Sequence, residues 1–248
     1  VIKSAKVPTK TWTAMKELGN LRNLETLDLT GFRNADLEKA PDEFFQIPSV
    51  KNLRIYSDAE TIYAKVFLAT GVEDLYIKSS AKAAVQQLII PDEIGNMSKL
   101  KKLNIELATG TVRKMILPAT MQSLTHMEHL ETTGGFVFGG DVKNYSNLAY
   151  FKSSGRVEGN KIPAGLENCT KLKTLIFNFS ENDSFPDIKK LTSLEELQLY
   201  NLTSAVKVPD SISSWSQLRI LTLEGKSGDG VLQLPEDIGS CTALTAIT

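Results

Sequence analysis

Apolar residues recur along this chain in a nine-position frame, LxxLxxLxL, first seen at Leu21, Leu24, Leu27 and Leu29. Nine further stretches fit the frame. The second apolar position of each falls at Leu24, Val50, Val72, Leu100, Met127, Leu148, Leu172, Leu194, Leu218 and Leu244. The steps between these anchors are 26, 22, 28, 27, 21, 24, 22, 24 and 26 residues. A self-similar period of this size marks a solenoid of stacked coils. The closing LxL alternates as a half-buried strand does, so each coil is predicted to add one short strand to a parallel sheet. No coil can cover its own apolar stripe, and only the next coil can bury it.

A second residue class keeps the same phase. Pro41, Pro91, Pro118, Pro163, Pro209 and Pro235 each stand nine residues before an anchor, and Pro186 stands eight before Leu194. An apolar residue follows three positions after six of them: Phe44, Ile94, Met121, Leu166, Ile212 and Ile238. Proline suits the first turn of a helix, where its missing N–H is not needed. The acids that follow, such as Asp92, Glu93, Glu236 and Asp237, suit a helix N-terminus. Short one-turn helices and irregular backbone are therefore expected in the return arms.

With these motifs the chain resembles the leucine-rich-repeat superfamily, in the variant with an (I/L)Pxx(I/L)xxLxxLxxL coil, over roughly residues 18–248. Similar coils occur in plant receptor ectodomains and in bacterial surface proteins, notably those of gut Bacteroidetes. The resemblance implies an α/β solenoid, right-handed and curved, of about ten coils. It places a parallel β-sheet on the concave face and short helical or irregular arms on the convex side. The chain departs from the superfamily where an asparagine usually follows the strand: Ala108, Ser180, Leu202 and Lys226 stand there. Irregular turns are expected as a result.

Residues 1–248 read as a single repeat domain. Residues 1–17 do not fit the frame, and Trp12, Met15 and Leu18 suit either an N-terminal cap or the remnant of an earlier coil. The chain starts at Val1 rather than Met and stops at Thr248, inside the tenth strand, so it reads as part of a longer polypeptide. An uncovered strand edge there invites edge-mediated self-association.

Composition narrows the chemistry. Of the 248 residues, 42% are hydrophobic and 23% charged, enough for a packed core, and the formal net charge is −1. No basic field exists to draw nucleic acid or an anionic membrane, and no apolar run reaches the roughly 20 residues of a membrane helix. No catalytic, cofactor-binding or metal-binding motif emerges. His126 and His129 are the only histidines; the frame puts one in the bend and the other on the strand, pointing different ways. Cys169 and Cys241 hold the same inward position three coils apart, about 15 Å by the coil spacing, too far for a disulfide. Gly134, Gly135, Gly139 and Gly140 match no phosphate loop and are expected to let the backbone turn. Asn-x-Ser/Thr triplets at Asn96, Asn144, Asn168, Asn178, Asn182 and Asn201 are glycosylation acceptors only in a eukaryotic secretory context. Glu106 and Glu131 read as part of a solvated face, not as a catalytic pair.

Recognition is the remaining class. The outward strand positions line up as rows across the coils, and four of the six tyrosines fall on them: Tyr56, Tyr76, Tyr150 and Tyr200. Tyrosine and arginine are the types that anchor interfaces. Arg54, Tyr56, Tyr76 and Lys78 are expected to cluster across two adjacent coils, with Asn104, Glu106, Tyr150, Lys152 and Tyr200 completing a partner-binding face. The mixed charge favours a protein or glycan ligand. The expected function is a non-catalytic recognition module. A secreted or cell-surface placement, as in a bacterial lipoprotein, follows from the resemblance alone. A structural spacer, or the substrate-recognition arm of a larger enzyme, is the alternative.

Overall fold

The computed structural model describes residues 4–6, 20–80, 87–108, 114–155, 161–179, 187–203, 212–226 and 234–248. Trp12, Met15, Leu18, Ser180, Asn182, Pro186 and Pro209 lie outside the described residues. Fourteen strands are described: β1 (Ser4–Lys6), β2 (Thr26–Leu29), β3 (Asn52–Ser57), β4 (Asp74–Ser79), β5 (Gln87–Ile89), β6 (Lys102–Glu106) and β7 (Lys114–Leu117). The rest are β8 (His129–Thr132), β9 (Gly135–Phe138), β10 (Tyr150–Ser153), β11 (Thr174–Asn178), β12 (Glu196–Leu202), β13 (Ile220–Gly225) and β14 (Ala246–Ile247).

Eleven of them form one parallel sheet in the order β1-β2-β3-β4-β6-β8-β10-β11-β12-β13-β14. Register follows the apolar frame. Leu27 pairs with Leu53, Leu53 with Leu75, Leu75 with Leu103 and Leu103 with Leu130. The column continues through Phe151, Leu175, Leu197, Leu221 and Ile247. The anchors from Leu24 to Leu218 are buried, so the interior is one continuous cluster. Burying each large aliphatic side chain stabilises by about 1.5–3 kcal/mol, and each depends on the neighbouring coil for its cover. At the first end, β1 adds a strand before the expected ten, pairing Ser4 with Thr26.

The return arms depart from expectation in two ways. Proline stands one residue outside the short helix rather than inside it. Pro41, Pro91 and Pro118 are extended, with ψ of 150°, 156° and 156°. Each carbonyl accepts the first turn's N–H, as Phe44 N to Pro41 O at 3.1 Å shows. The fixed φ of proline suits this extended cap, and 3-10 turns follow at Asp42–Phe44, Asp92–Asn96 and Ala119–Ser123. Secondly, the arms of three successive coils carry their own parallel sheet, β5-β7-β9. It joins the main core through Phe136, whose ring packs edge-on against Phe151 at 6.1 Å. The expected asparagine position of the eighth coil is taken by buried Leu202 at the end of β12, reached through Asn201 in a left-handed conformation (φ 57°), where the register shifts.

Each bend repeats one backbone pattern. The residue after each of the first nine anchors accepts two N–H groups from the next coil, as Glu25 O does from Lys51 and Asn52. These bend residues read Glu25, Lys51, Glu73, Lys101, Glu128, Ala149, Lys173, Glu195 and Arg219, and their charges alternate wherever they are charged. Glu73 lies 3.1 Å from Lys51 and 2.8 Å from Lys101, and Lys173 lies 2.7 Å from Glu195. Hydrogen bonds from Lys101 and then Lys51 hold the Glu73 carboxyl down at about 2, below its usual 4.5. A depressed carboxyl stabilises the fold above its ordinary value and loses that contribution as pH falls through the folded value. A wild-type melt is therefore expected to lose more stability between pH 4.5 and 2 than the Glu73→Gln variant does. Because the pairs are exposed, the difference is expected to shrink in strong salt. Thermal melts across pH at two ionic strengths check this; identical pH profiles for the two proteins refute it.

Candidate functional site

Alternation sends every second strand residue out of the solenoid, and the register sets these residues side by side. Arg54 on β3 pairs in register with Tyr76 on β4, Tyr76 with Asn104 on β6, and Tyr56 with Lys78. The Arg54 guanidinium carbon sits 5.6 Å from the centre of the Tyr76 ring, within cation–π range. Tyr76 Oη donates to Glu106 Oε2, and Lys78 Nζ donates to Glu106 Oε1 at 2.7 Å. Half-burial, with the bond to Glu106, pushes the Tyr76 phenol up to about 12. Lys78 and then Tyr76 hold the Glu106 carboxyl below its ordinary value. The expected cluster thus forms and extends over a third coil through Glu106. Tyr56 shares the face and lies half-buried beside it, and Asn104 stands next to Tyr76 in register.

A second group spans β8 to β12. The His129 ring stacks on Tyr150, with centroids 4.2 Å apart and planes 3° apart. Lys152 Nζ donates to Glu131 Oε1 at 2.9 Å, and Glu131 Oε2 also lies 3.4 Å from His129 Nε2. Tyr200 Oη donates to Gln198 Oε1 at 2.6 Å, and Gln198 in turn donates to Glu196. Burial raises the Tyr150 phenol, and the bond to Glu131 raises the Lys152 ammonium. The site residues read from the sequence therefore fall into two groups, one around Tyr76 and one around Tyr150 and Tyr200. His129, Glu131, Glu196 and Gln198 belong to the second group and were not assigned to a site from the sequence; their row positions were the available signal.

Other candidates are placed elsewhere. His126 Nδ1 lies 3.0 Å from Ser98 O in the bend, away from His129 on the sheet. Glu106 and Glu131 are held by different partners. Cys169 and Cys241 are free and buried, and burial pushes the Cys169 thiol up to about 12, the opposite of an activated nucleophile. Gly134, Gly139 and Gly140 stand in bends, as expected, whereas Gly135 opens β9; among described glycines only Gly165 has a positive φ. Gly139 and Gly140 lie tight against Ala119 of the preceding coil. On the far side, a cleft of about 500 Å³ opens between β9 and residues 161–164, lined by Lys114, Phe138, Lys161 and Ile162. Nothing in the repeat frame points to it. Among the described residues no group of three metal-ligating side chains occurs, and no helix is long and apolar enough to cross a membrane.

No family model matches the chain. Receptor-like protein EIX1 of Solanum lycopersicum is 28% identical over 149 residues, covering 56% of this chain and 14% of that protein. Among solved structures, that of a TDR receptor superposes with a TM-score of 0.61 at 22% identity, covering 98% of this chain and 40% of that one. The leucine-rich repeat domain of the type III effector XCV3220 (XopL) gives 0.55 at 16% identity, over 95% of this chain and 79% of that one. A chain from the octameric complex of latrophilin 3, Unc5D and FLRT2, whose leucine-rich-repeat component is FLRT2, gives 0.55 at 14%, over 99% of this chain and 77% of that one. At these identities the likeness concerns the fold. By its interior columns, its coil register and this likeness, the chain is a leucine-rich-repeat solenoid.

Proposed function

We propose that this chain is a non-catalytic recognition module that binds a protein partner on the outward, concave face of the long sheet, at the cell surface. One observation carries the reading. Arg54, Tyr76, Tyr150 and Tyr200 share one face of a continuous parallel sheet, the tyrosines half-buried and each fixed by a neighbour on that face. Side chains fixed before contact lose little freedom on binding, and tyrosine with arginine supplies most anchoring energy at interfaces. The relative from tomato is described as a receptor-like protein, which supports a recognition role, and FLRT2 appears in a complex with two other proteins, which supports protein as the ligand class.

The test is a binding screen against purified extracellular proteins. A genuine partner is expected to lose at least tenfold in affinity with Tyr76→Ala, Tyr150→Ala or Tyr200→Ala, about 1.4 kcal/mol or more. Exposed Lys39→Ala and Lys189→Ala on the return arms should leave it unchanged. A partner sensitive to the arm lysines and indifferent to all three tyrosines overturns the assignment of the face. Tolerance of every substitution favours a spacer.

A further inference from the structure

On the long sheet and its rim, cations are almost always matched. Lys51 and Lys101 share Glu73, Lys78 pairs with Glu106, Lys152 with Glu131 and Lys173 with Glu195. Arg54 and Lys102 are the exceptions among the described residues on the first half of the face, and of the two Arg54 lies over an aromatic ring. Arg54 is exposed, and no carboxylate among the described residues comes within ion-pair distance of it. The acid facing it in register, Asp28, is turned back along its own strand, accepting from Thr30 N at 3.0 Å and Thr30 Oγ1 at 2.6 Å.

Arg54 is nevertheless held. Lys78 fixes Glu106, Glu106 accepts from Tyr76 Oη, and the Tyr76 ring lies beneath the guanidinium at 5.6 Å. The ring contact leaves the N–H edges of the guanidinium without a hydrogen-bond partner among the described residues. Those edges form a fork that matches a carboxylate in two parallel hydrogen bonds. Lysine offers no such fork, because its ammonium is a compact point charge.

We infer that Arg54 is a carboxylate-reading subsite, and that its ligand is a single acidic residue within an otherwise apolar or aromatic polypeptide segment. The inference rests on the sheet face being the recognition surface. Charge sets the ligand class. Asp28 faces Arg54 in register on β2, Asp74 shares the outward face of β4, and Lys78 is already paired with Glu106, so a polyanionic glycan that reaches past Arg54 meets the two aspartates. One carboxylate flanked by apolar side chains meets neither, and half-buried Tyr56, two residues along β3 on the same face, offers those neighbours a flat wall.

A labelled hexapeptide with one aspartate between aromatic residues, its asparagine counterpart and a trigalacturonate serve as probes. Fluorescence anisotropy is expected to show the aspartate peptide binding at least tenfold tighter than the asparagine peptide. Arg54→Gln should abolish that preference. Tyr76→Phe, which keeps the ring but frees it from Glu106, should weaken the preference severalfold with Arg54 intact. Equal binding of the two peptides, no binding of either at millimolar concentration, or a preference that survives Arg54→Gln overturns the inference. Stronger binding of trigalacturonate overturns the polypeptide class. Backbone amide shifts separate the two levels of failure. Perturbation of the sheet face without an aspartate preference leaves the recognition surface standing, whereas perturbation confined to the return arms removes both.

Discussion

Gly155→Ala is expected to cost on the order of 4 kcal/mol and to break the stack between the fifth and sixth coils. A Cβ at position 155 would lie 1.8 Å from Gly135 N, 2.1 Å from Gly134 C and 2.4 Å from Gly134 Cα. All three are backbone atoms, so no side chain can rotate aside. The obstruction sits where β10 ends against β9, the point at which the short sheet joins the main core through Phe136 and Phe151. To admit a methyl group, one strand must leave its register, and two-strand register in a parallel stack is shared with every coil beyond it. Gly239→Ala is the matched control, because nothing lies within 4 Å of a Cβ there. Chemical denaturation of both variants decides the matter. A loss below about 1 kcal/mol for Gly155→Ala would show that the coils separate more readily than their packing implies.

That glycine illustrates what the sequence did and did not disclose. Its neighbours Gly134 and Gly135 read as turn formers, yet Gly135 opens a strand and the requirement at 155 is for space. Close approach between coils depends on two distant segments meeting, and a single stretch of sequence carries no sign of it. The interior columns were legible because burial demands an apolar residue at the same phase of every coil. Even Thr132 and Ser153, polar where the frame wants an aliphatic, are buried in their column. The short sheet was not legible: Gln87–Ile89, Lys114–Leu117 and Gly135–Phe138 are three or four residues long, and their shared apolar pairs, Leu88-Ile89, Met115-Ile116 and Phe136-Val137, stand out only once the register aligns them. A run of that length cannot establish a period of two. The alternating charges of the bends were present in the sequence, one residue after each anchor, and only the apolar anchors had been aligned. At the candidate site, register alone put Arg54 beside Tyr76 and Lys78 diagonal to it. The bridging by Glu106 and the stacking of His129 on Tyr150 depend on rotamers, which register does not fix.

Trp215→Ala is expected to cost about 3–5 kcal/mol, with Trp215→Phe recovering all but about 1 kcal/mol, the worth of one hydrogen bond. Trp215 opens the ninth repeat of the frame, fully buried, in a column whose polar members obey one rule. Tyr145 Oη donates to Met121 O at 2.6 Å and Trp215 Nε1 to Ile188 O at 3.3 Å. Cys169 Sγ lies 3.5 Å from Val142 O, and Cys241 Sγ 3.4 Å from Ile212 O. In each case the acceptor stands three residues before the same position in the preceding coil, and it already accepts that coil's own bend N–H. A side chain with a donor thus reaches back one coil to the acceptor's second lone pair. Volume is balanced along the same column: each large aromatic is followed by a cysteine, Tyr145 by Cys169 and Trp215 by Cys241. Removing the indole leaves a cavity that Leu191 and Cys241, at the same place in the flanking coils, cannot fill without moving their bends. In a stack coupled only between neighbours, the damage should be local. Amide exchange is expected to accelerate in residues 187–248 while residues 20–108 keep their protection. Uniform loss of protection along the whole chain would mean that the coils unfold as one unit, and that the nearest-neighbour account of this solenoid is wrong.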